Sequence, residues 1–369
     1  MKKAILIFSF LVQSFLFGQG QLTVNNEGGN KKASVSEHIG PVNITINYDR
    51  PGVKGREGKI WNTSVAHYGL IDLGFGTSTA APWRAGANEN TTIAFSHPVK
   101  VEGQDLPVGT YGFHIILGES QDVLIFSKRN NSWGSFYYDP SEDALRVTVT
   151  HQTMDKSVEW LKYEFMDQTD NSAVVTLQWE KRLIPFKVEA DVHKLQLDSF
   201  KSELKTKPGF TWQTFVQAAN YCLNNNIEPE QALAWANEAI SARFVGQKNF
   251  QTLSTKARAL TKLNREAEAK AIMDEAINMG SMIELHQYGR SLLNTKKSKE
   301  ALEVFKLNAK KNPNVFTTNV GLGRGYSAVG DYKQATKYFK MALTQAPDDI
   351  NKNNIENLLK KLEKGVDIN

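Results

Sequence analysis

The chain has a single cysteine, Cys222, in 369 residues, so no intramolecular disulfide can form and the fold must rest on packing. Cys222 falls at helical spacing among Ala218, Ala219 and Leu223, which predicts a small buried hydrophobe rather than a reactive thiol. Neither sign of charge dominates. The net charge is +5 with no clustered basic run, which argues against nucleic acid as a partner. Beyond the first twenty residues no apolar run is long enough to cross a bilayer. Catalytic signatures are missing too: there is no Gly-x-Ser-x-Gly elbow, no phosphate loop and no Cys–His pair. His38, His67, His97, His114, His151 and His193 show no metal-ligand spacing, so neither a metal nor a cofactor is called for. Gly321-Leu322-Gly323-Arg324-Gly325 mimics a dinucleotide fingerprint but lies inside a helical pattern, and it is read as part of a helix.

What is present begins at Met1-Lys2-Lys3, followed by an apolar stretch from Ala4 to Phe17 and small residues at Gly18-Gln19-Gly20. That order predicts a secretory signal peptide over residues 1–20, and hence an exported protein, periplasmic or secreted. No cysteine follows the stretch to accept a lipid, so the mature protein is expected to be soluble, without membrane insertion after signal removal.

The length suggests two folded units. From about Ala33 to Val188 apolar residues alternate: Val42, Ile44, Ile46 and Tyr48; Tyr111, Phe113, Ile115 and Leu117; Leu145, Val147 and Val149; Leu161, Tyr163 and Phe165; Val175, Leu177 and Trp179. Period two puts each set on one face of a strand. Val99 to Leu106 reads as a hairpin turning at Gly103, and Thr91 to Phe95 as a further strand. The expectation is an antiparallel β-sandwich or barrel over residues 21–195. A linker helix is expected over 196–211, carrying Leu197, Phe200 and Leu204. Everything from Trp212 onward has a period near 3.6.

The helical half repeats itself. Gly289, Ala301, Phe305 and Pro313 recur 34 residues on as Gly323, Ala335, Phe339 and Pro347. Four units register, over 212–244, 250–280, 282–314 and 316–349, and a capping helix follows through Ile355, Leu358 and Leu362. This period and these small and large residues resemble the tetratricopeptide repeat, a helix–turn–helix unit that stacks into an α-superhelix. Asn308 and Asn319 depart from the pattern. The resemblance implies a groove that takes a protein or peptide.

Four strings in the first half are similar to the bacterial domain-of-unknown-function family 2911: Arg50-Pro51-Gly52-Val53-Lys54-Gly55-Arg56, Pro82 to Thr91 with its Trp83-Arg84-Ala85-Gly86-Ala87-Asn88-Glu89 core, Leu106 to Tyr111, and Leu177-Gln178-Trp179-Glu180. The resemblance implies an exported β-domain, often followed by tetratricopeptide repeats, and supplies no function. The stretch from His67 to Ala80 reads as an insertion.

Two constellations could bind. Trp83, Arg84, Asn88 and Glu89, with Arg56 from the neighbouring turn, offer a stacking face, forks and acceptors suited to a sugar or a carboxylate. The alternative is a latch in which Arg84 pairs with an internal carboxylate and Asn88 satisfies loop amides. Arg50, Lys54 and Arg56 admit an anion site or a solvated hairpin. In the repeats, Arg258, Arg290 and Arg324 occupy one position of three successive first helices, a column suited to an acidic segment or alternatively paired with neighbours such as Glu284 or Glu266. The combined expectation is an exported, non-enzymatic binding or scaffold protein. The rival is a carbohydrate-active or other hydrolase with its site near Trp83, Arg84 and Glu89, which would need a second carboxylate.

Overall fold

The computed structural model describes residues 29–369, so the expected signal peptide lies outside the described residues. The chain divides into two compact units that meet between Gln196 and Leu197.

The first unit contains β1 (Lys31–Ile39), β2 (Val42–Arg50), β3 (Thr91–Phe95), β4 (Val99–Val101), β5 (Gln104–Leu106), β6 (Gly109–Ile116), β7 (Gln121–Ser127), β8 (Asp143–Thr150), β9 (Gln152–Met166) and β10 (Ser172–Glu189). They form two antiparallel sheets, β1-β2-β3-β6-β7-β8 and β5-β4-β10-β9, and neither closes into a barrel. The alternating residues do what their period requires. Ile44, Ile46, Phe113 and Phe126 from one sheet and Leu161, Val175, Leu177 and Phe186 from the other share one buried core. Phe186 touches Phe113 and Phe126, with centroids 5.6 and 6.0 Å apart. The β4–β5 hairpin turns on Glu102 and Gly103, both with positive φ (48° and 76°), the conformation that matches the twist of paired strands.

The outer face of β6 departs from expectation. Alternation places His114 on a polar face, yet it is 2 % exposed, because the segment after β7 folds over it and brings Ser135 and Tyr138 against the ring.

The second unit consists of helix pairs. The first helix, α1 (Val192–Glu203), begins before the expected linker, and its Leu197 joins the core of the first repeat with Phe200 and Leu204 alongside. It therefore acts as a packed lid on the array rather than as a spacer. The pairs follow as α2 (Trp212–Asn225) with α3 (Pro229–Ser241), α4 (Phe250–Lys262) with α5 (Glu266–Met279), α6 (Met282–Asn294) with α7 (Ser298–Lys311), and α8 (Phe316–Ala328) with α9 (Tyr332–Leu343); α10 (Asp349–Glu363) caps them. Small and large residues interdigitate. A Cβ on Gly289 would stand 2.4 Å from the Phe305 ring and one on Gly323 2.6 Å from Phe339, so hydrogen at these places lets paired helices close on the phenyl rings. The two departures are absorbed by hydrogen bonds: buried Asn308 donates to the Met282 carbonyl at 2.8 Å, and Asn319 to Gln345 Oε1 at 2.8 Å. Cys222 is fully buried in α2. Among the described residues no helix is long and apolar enough to cross a membrane.

Candidate functional site

The connection between β2 and β3 contains no long strand, so its backbone must find partners elsewhere. It does so at single bridges: Gly52 pairs with Trp160, Tyr68 with Leu117, and Trp83 with Ile115. Trp83 takes up its place beside β6 just past Thr91↔Phe113, where β3 stops pairing with that strand. The Trp-Arg string thus continues the sheet.

The indoles of Trp83 and Trp179 stack beneath it, and Trp61 meets both edge-on at 5.7 Å. The strand β10 bulges at Glu180, whose φ is +50°, and this turns the carboxylate back to accept from Trp61 Nε1 at 3.0 Å and from the Gly58 amide at 3.1 Å. Burial pushes the Glu180 pKa up, but those hydrogen bonds and that of the Lys181 amide outweigh it and hold it below the ordinary value. Two residues on, Arg182 lies over Trp61 at 4.5 Å, donates to the Tyr68 hydroxyl at 2.5 Å, and reaches the fully buried Asp122 at 3.6 Å. Asp122 also faces His151 Nδ1 at 2.9 Å.

Above the indoles is a cleft of about 270 Å³, wholly within the first unit. Three of the four strings that carry the family resemblance converge on it, through Pro51 and Arg56, through Trp83 to Asn88, and through Trp179. Arg56 holds its own turn closed by donating to the Gly52 and Val53 carbonyls at 2.7 and 3.0 Å. Arg50 is turned away into β9, donating to the Leu161 carbonyl at 2.8 Å, while Lys54 and Gly55 at the tip of the turn are exposed.

Arg84 differs from the latch expected of it. Among the described residues it has no carboxylate partner; it donates to the Asn88 carbonyl at 3.0 Å and lies 4.9 Å from the Phe136 ring centroid. Burial lowers its pKa from the ordinary value. Asn88, with φ at +53°, accepts from Asn30 at the rim. Glu89 does not line the cleft. It is exposed and paired with Lys32 at 2.9 Å, and among the described residues no Asp or Glu lines the cleft, so a glycosidase's carboxylate pair is not assembled there. His67 and Trp179 both line the cleft. Trp179 is legible in the sequence as a strand-face residue and through the family resemblance, neither of which marks a binding role, and nothing in the spacing around His67 marks it.

In the repeats, the Arg column stands apart from the acidic neighbours expected to neutralise it. Arg258 donates to Asn220 and Asn224 on α2 at 2.7 and 2.9 Å. Glu284 is occupied in the capping box of Ser281 at the start of α6. Among the described residues the Arg324 side chain donates to the Asn369 side-chain oxygen at 3.4 Å, its Nε is buried without a partner, and the charge of Asp367 acts on it from beyond ion-pair distance. Arg290 is exposed and makes no ion pair with a described residue. His286 feels these charges: burial first, then Arg290 and Arg324, bring its pKa down to about 4.

The chain is therefore a two-sheet β unit followed by an array of tetratricopeptide-type helix pairs. Residues 30–188 match a family described as "Protein of unknown function (DUF2911)". No curated protein matches the chain. Among solved structures it is similar to residues 41 to the end of MamA from Desulfovibrio magneticus RS-1 (18 % identity, 42 % of this chain and 90 % of that one, TM-score 0.28). It is also similar to YrrB, described as a TPR protein with an unusual peptide-binding site (19 %, 45 % and 86 %, TM-score 0.30). A third is TTC0263, a thermophilic TPR protein of Thermus thermophilus (15 %, 47 % and 91 %, TM-score 0.30). The repeat assignment itself rests on the helix pairs of this chain.

Proposed function

We propose that this is an exported binding or scaffold protein whose helical repeats take an acidic segment of another protein along the first-helix face. The observation that carries the reading is the pair Arg290 and Arg324, at one position of successive first helices and lacking a carboxylate within ion-pair distance among the described residues, whose charges both act on His286. A guanidinium column without an ion-pair partner among the described residues, with only the more distant Asp367 charge acting on Arg324, is matched by a partner that brings its own carboxylates. Arg258, held by two amides on α2, extends the same face and retains its charge for a ligand.

The test uses the full chain and two labelled peptides, one rich in Glu and one with Gln in its place. The Glu peptide is expected to bind more tightly, and to weaken as salt rises, because the contacts are partly exposed. Replacing Arg258, Arg290 and Arg324 together by Gln should erase the preference while the helical signal persists. A folded triple variant that keeps the preference overturns the reading. Export is checked separately: the mature chain from the envelope fraction should begin near Gly20.

A further inference from the structure

The geometry points to a second binding site, in the β unit, for a small molecule bearing an oxyanion, a carboxylate or a phosphate, held in the cleft between Arg56 and Arg84. Its charge comes first. The lining residues include two arginines and His67 and no Asp or Glu, which is a one-signed surface inside a concave wall. Arg84 is the centre of it. A partly buried guanidinium with one carbonyl acceptor and an aromatic face has donors to spare, and a fork of that kind matches an oxyanion through two parallel hydrogen bonds. The guanidinium also packs directly on the backbone of Gly134, where a Cβ would stand 2.4 Å from its Cζ.

Two further polar atoms are independent of the arginines. Trp179 is fully buried and His67 8 % exposed, both line the cleft, and Trp179 Nε1 and His67 Nδ1 have no hydrogen-bond partner among the described residues. An indole N–H can only donate, so an acceptor is what it lacks. Burial, and then the nearby Arg84 charge, lower the His67 pKa, which favours a neutral ring at neutral pH. The size sets the class of molecule: at about 270 Å³ the cleft falls at the small end of ligand pockets, too small for a peptide or an oligosaccharide. Nothing in this site depends on the repeats.

The probes are acetate, succinate and inorganic phosphate, with acetamide as the neutral isostere of acetate, titrated into the full chain in low-salt buffer. The readout is the indole N–H resonance of Trp179, assigned through Trp179→Phe. At least one anion should move it in a saturable way and acetamide should not; the carboxylate and phosphate arms then tell which oxyanion the site prefers. Arg84→Gln should weaken that binding by about tenfold or more, the loss of one charge-assisted fork. Should that variant fail to fold, Arg56→Gln is measured instead with the same expectation. Ala87→Phe places a ring in the cleft, leaves both arginines, and should block the anion. The inference is overturned if no anion saturates, if acetamide binds as well as acetate, or if folded Ala87→Phe binds the anion as the parent does.

Discussion

Trp83 and Trp179 lie face to face, their ring centroids 6.2 Å apart and their planes 5° from parallel. One comes from an irregular connection and the other from the middle of the longest strand, so this contact fixes a strandless segment to the sheet core. With Trp61 at right angles to both, the three indoles form the floor of the cleft and the end of the hydrophobic core at once.

Arg84 and Arg182 are both enclosed arginines with different company, and truncating them should cost different amounts. Arg182→Ala leaves Asp122 buried without its cation and should destabilise the β unit by about 3–5 kcal/mol. Arg84→Ala strands no carboxylate and forfeits a hydrogen bond and ring contact, about 1–3 kcal/mol. Urea unfolding of the two variants should rank them in that order. The opposite order would mean that Arg84 has a counter-charge inside the protein.

His114 makes the β unit sensitive to acid. Burial, with Arg84 second, brings its pKa down from 6.5 to about 4. The unfolded chain therefore takes up the proton first as pH falls, so the contribution is complete above about 6.5 and lost progressively toward 4. Its full size is about 3 kcal/mol at 1.36 kcal/mol per pKa unit. Urea midpoints measured across this window should fall more steeply for the parent than for His114→Gln. Parallel curves would remove His114 as the cause.

Gly289→Ala and Gly323→Ala should each destabilise the repeats, although alanine is the better helix former. The gain in propensity is about 1 kcal/mol, whereas forcing a methyl against Phe305 or Phe339 costs about 1–3 kcal/mol. Thermal melts followed by helical circular dichroism should show lower midpoints. Phe305→Leu should recover part of the loss in the Gly289→Ala background but lower stability on its own.

The periods were legible because each reports one local geometry. Val42, Ile44 and Ile46 can share a face only on a strand, and Gly289 and Gly323 only make sense where a helix meets a ring 34 residues apart in register. What escaped depends on segments far apart in sequence. His114 looks polar by alternation, and only the chain that returns with Ser135 and Tyr138 makes it internal. The bulge at Glu180 and the absence of a carboxylate beside Arg84 are likewise settled by tertiary packing, which no spacing records. The Arg column was visible as a column; that Asn220 and Asn224, one repeat earlier, would hold Arg258 was not.

The last residues of the chain fold back on α8. Ser327 Oγ donates to Asp367 at 2.6 Å, Ile368 is 9 % exposed, and Asn369 Nδ2 donates to the Arg324 carbonyl at 3.1 Å. A segment tethered this closely sees its own docking place at an effective concentration on the order of millimolar, however dilute the protein. Any visitor to Arg324 is thus in competition with a tethered resident. Occupancy at that end of the face is therefore set by a ratio of affinities, the partner's against that of Asp367 to Asn369.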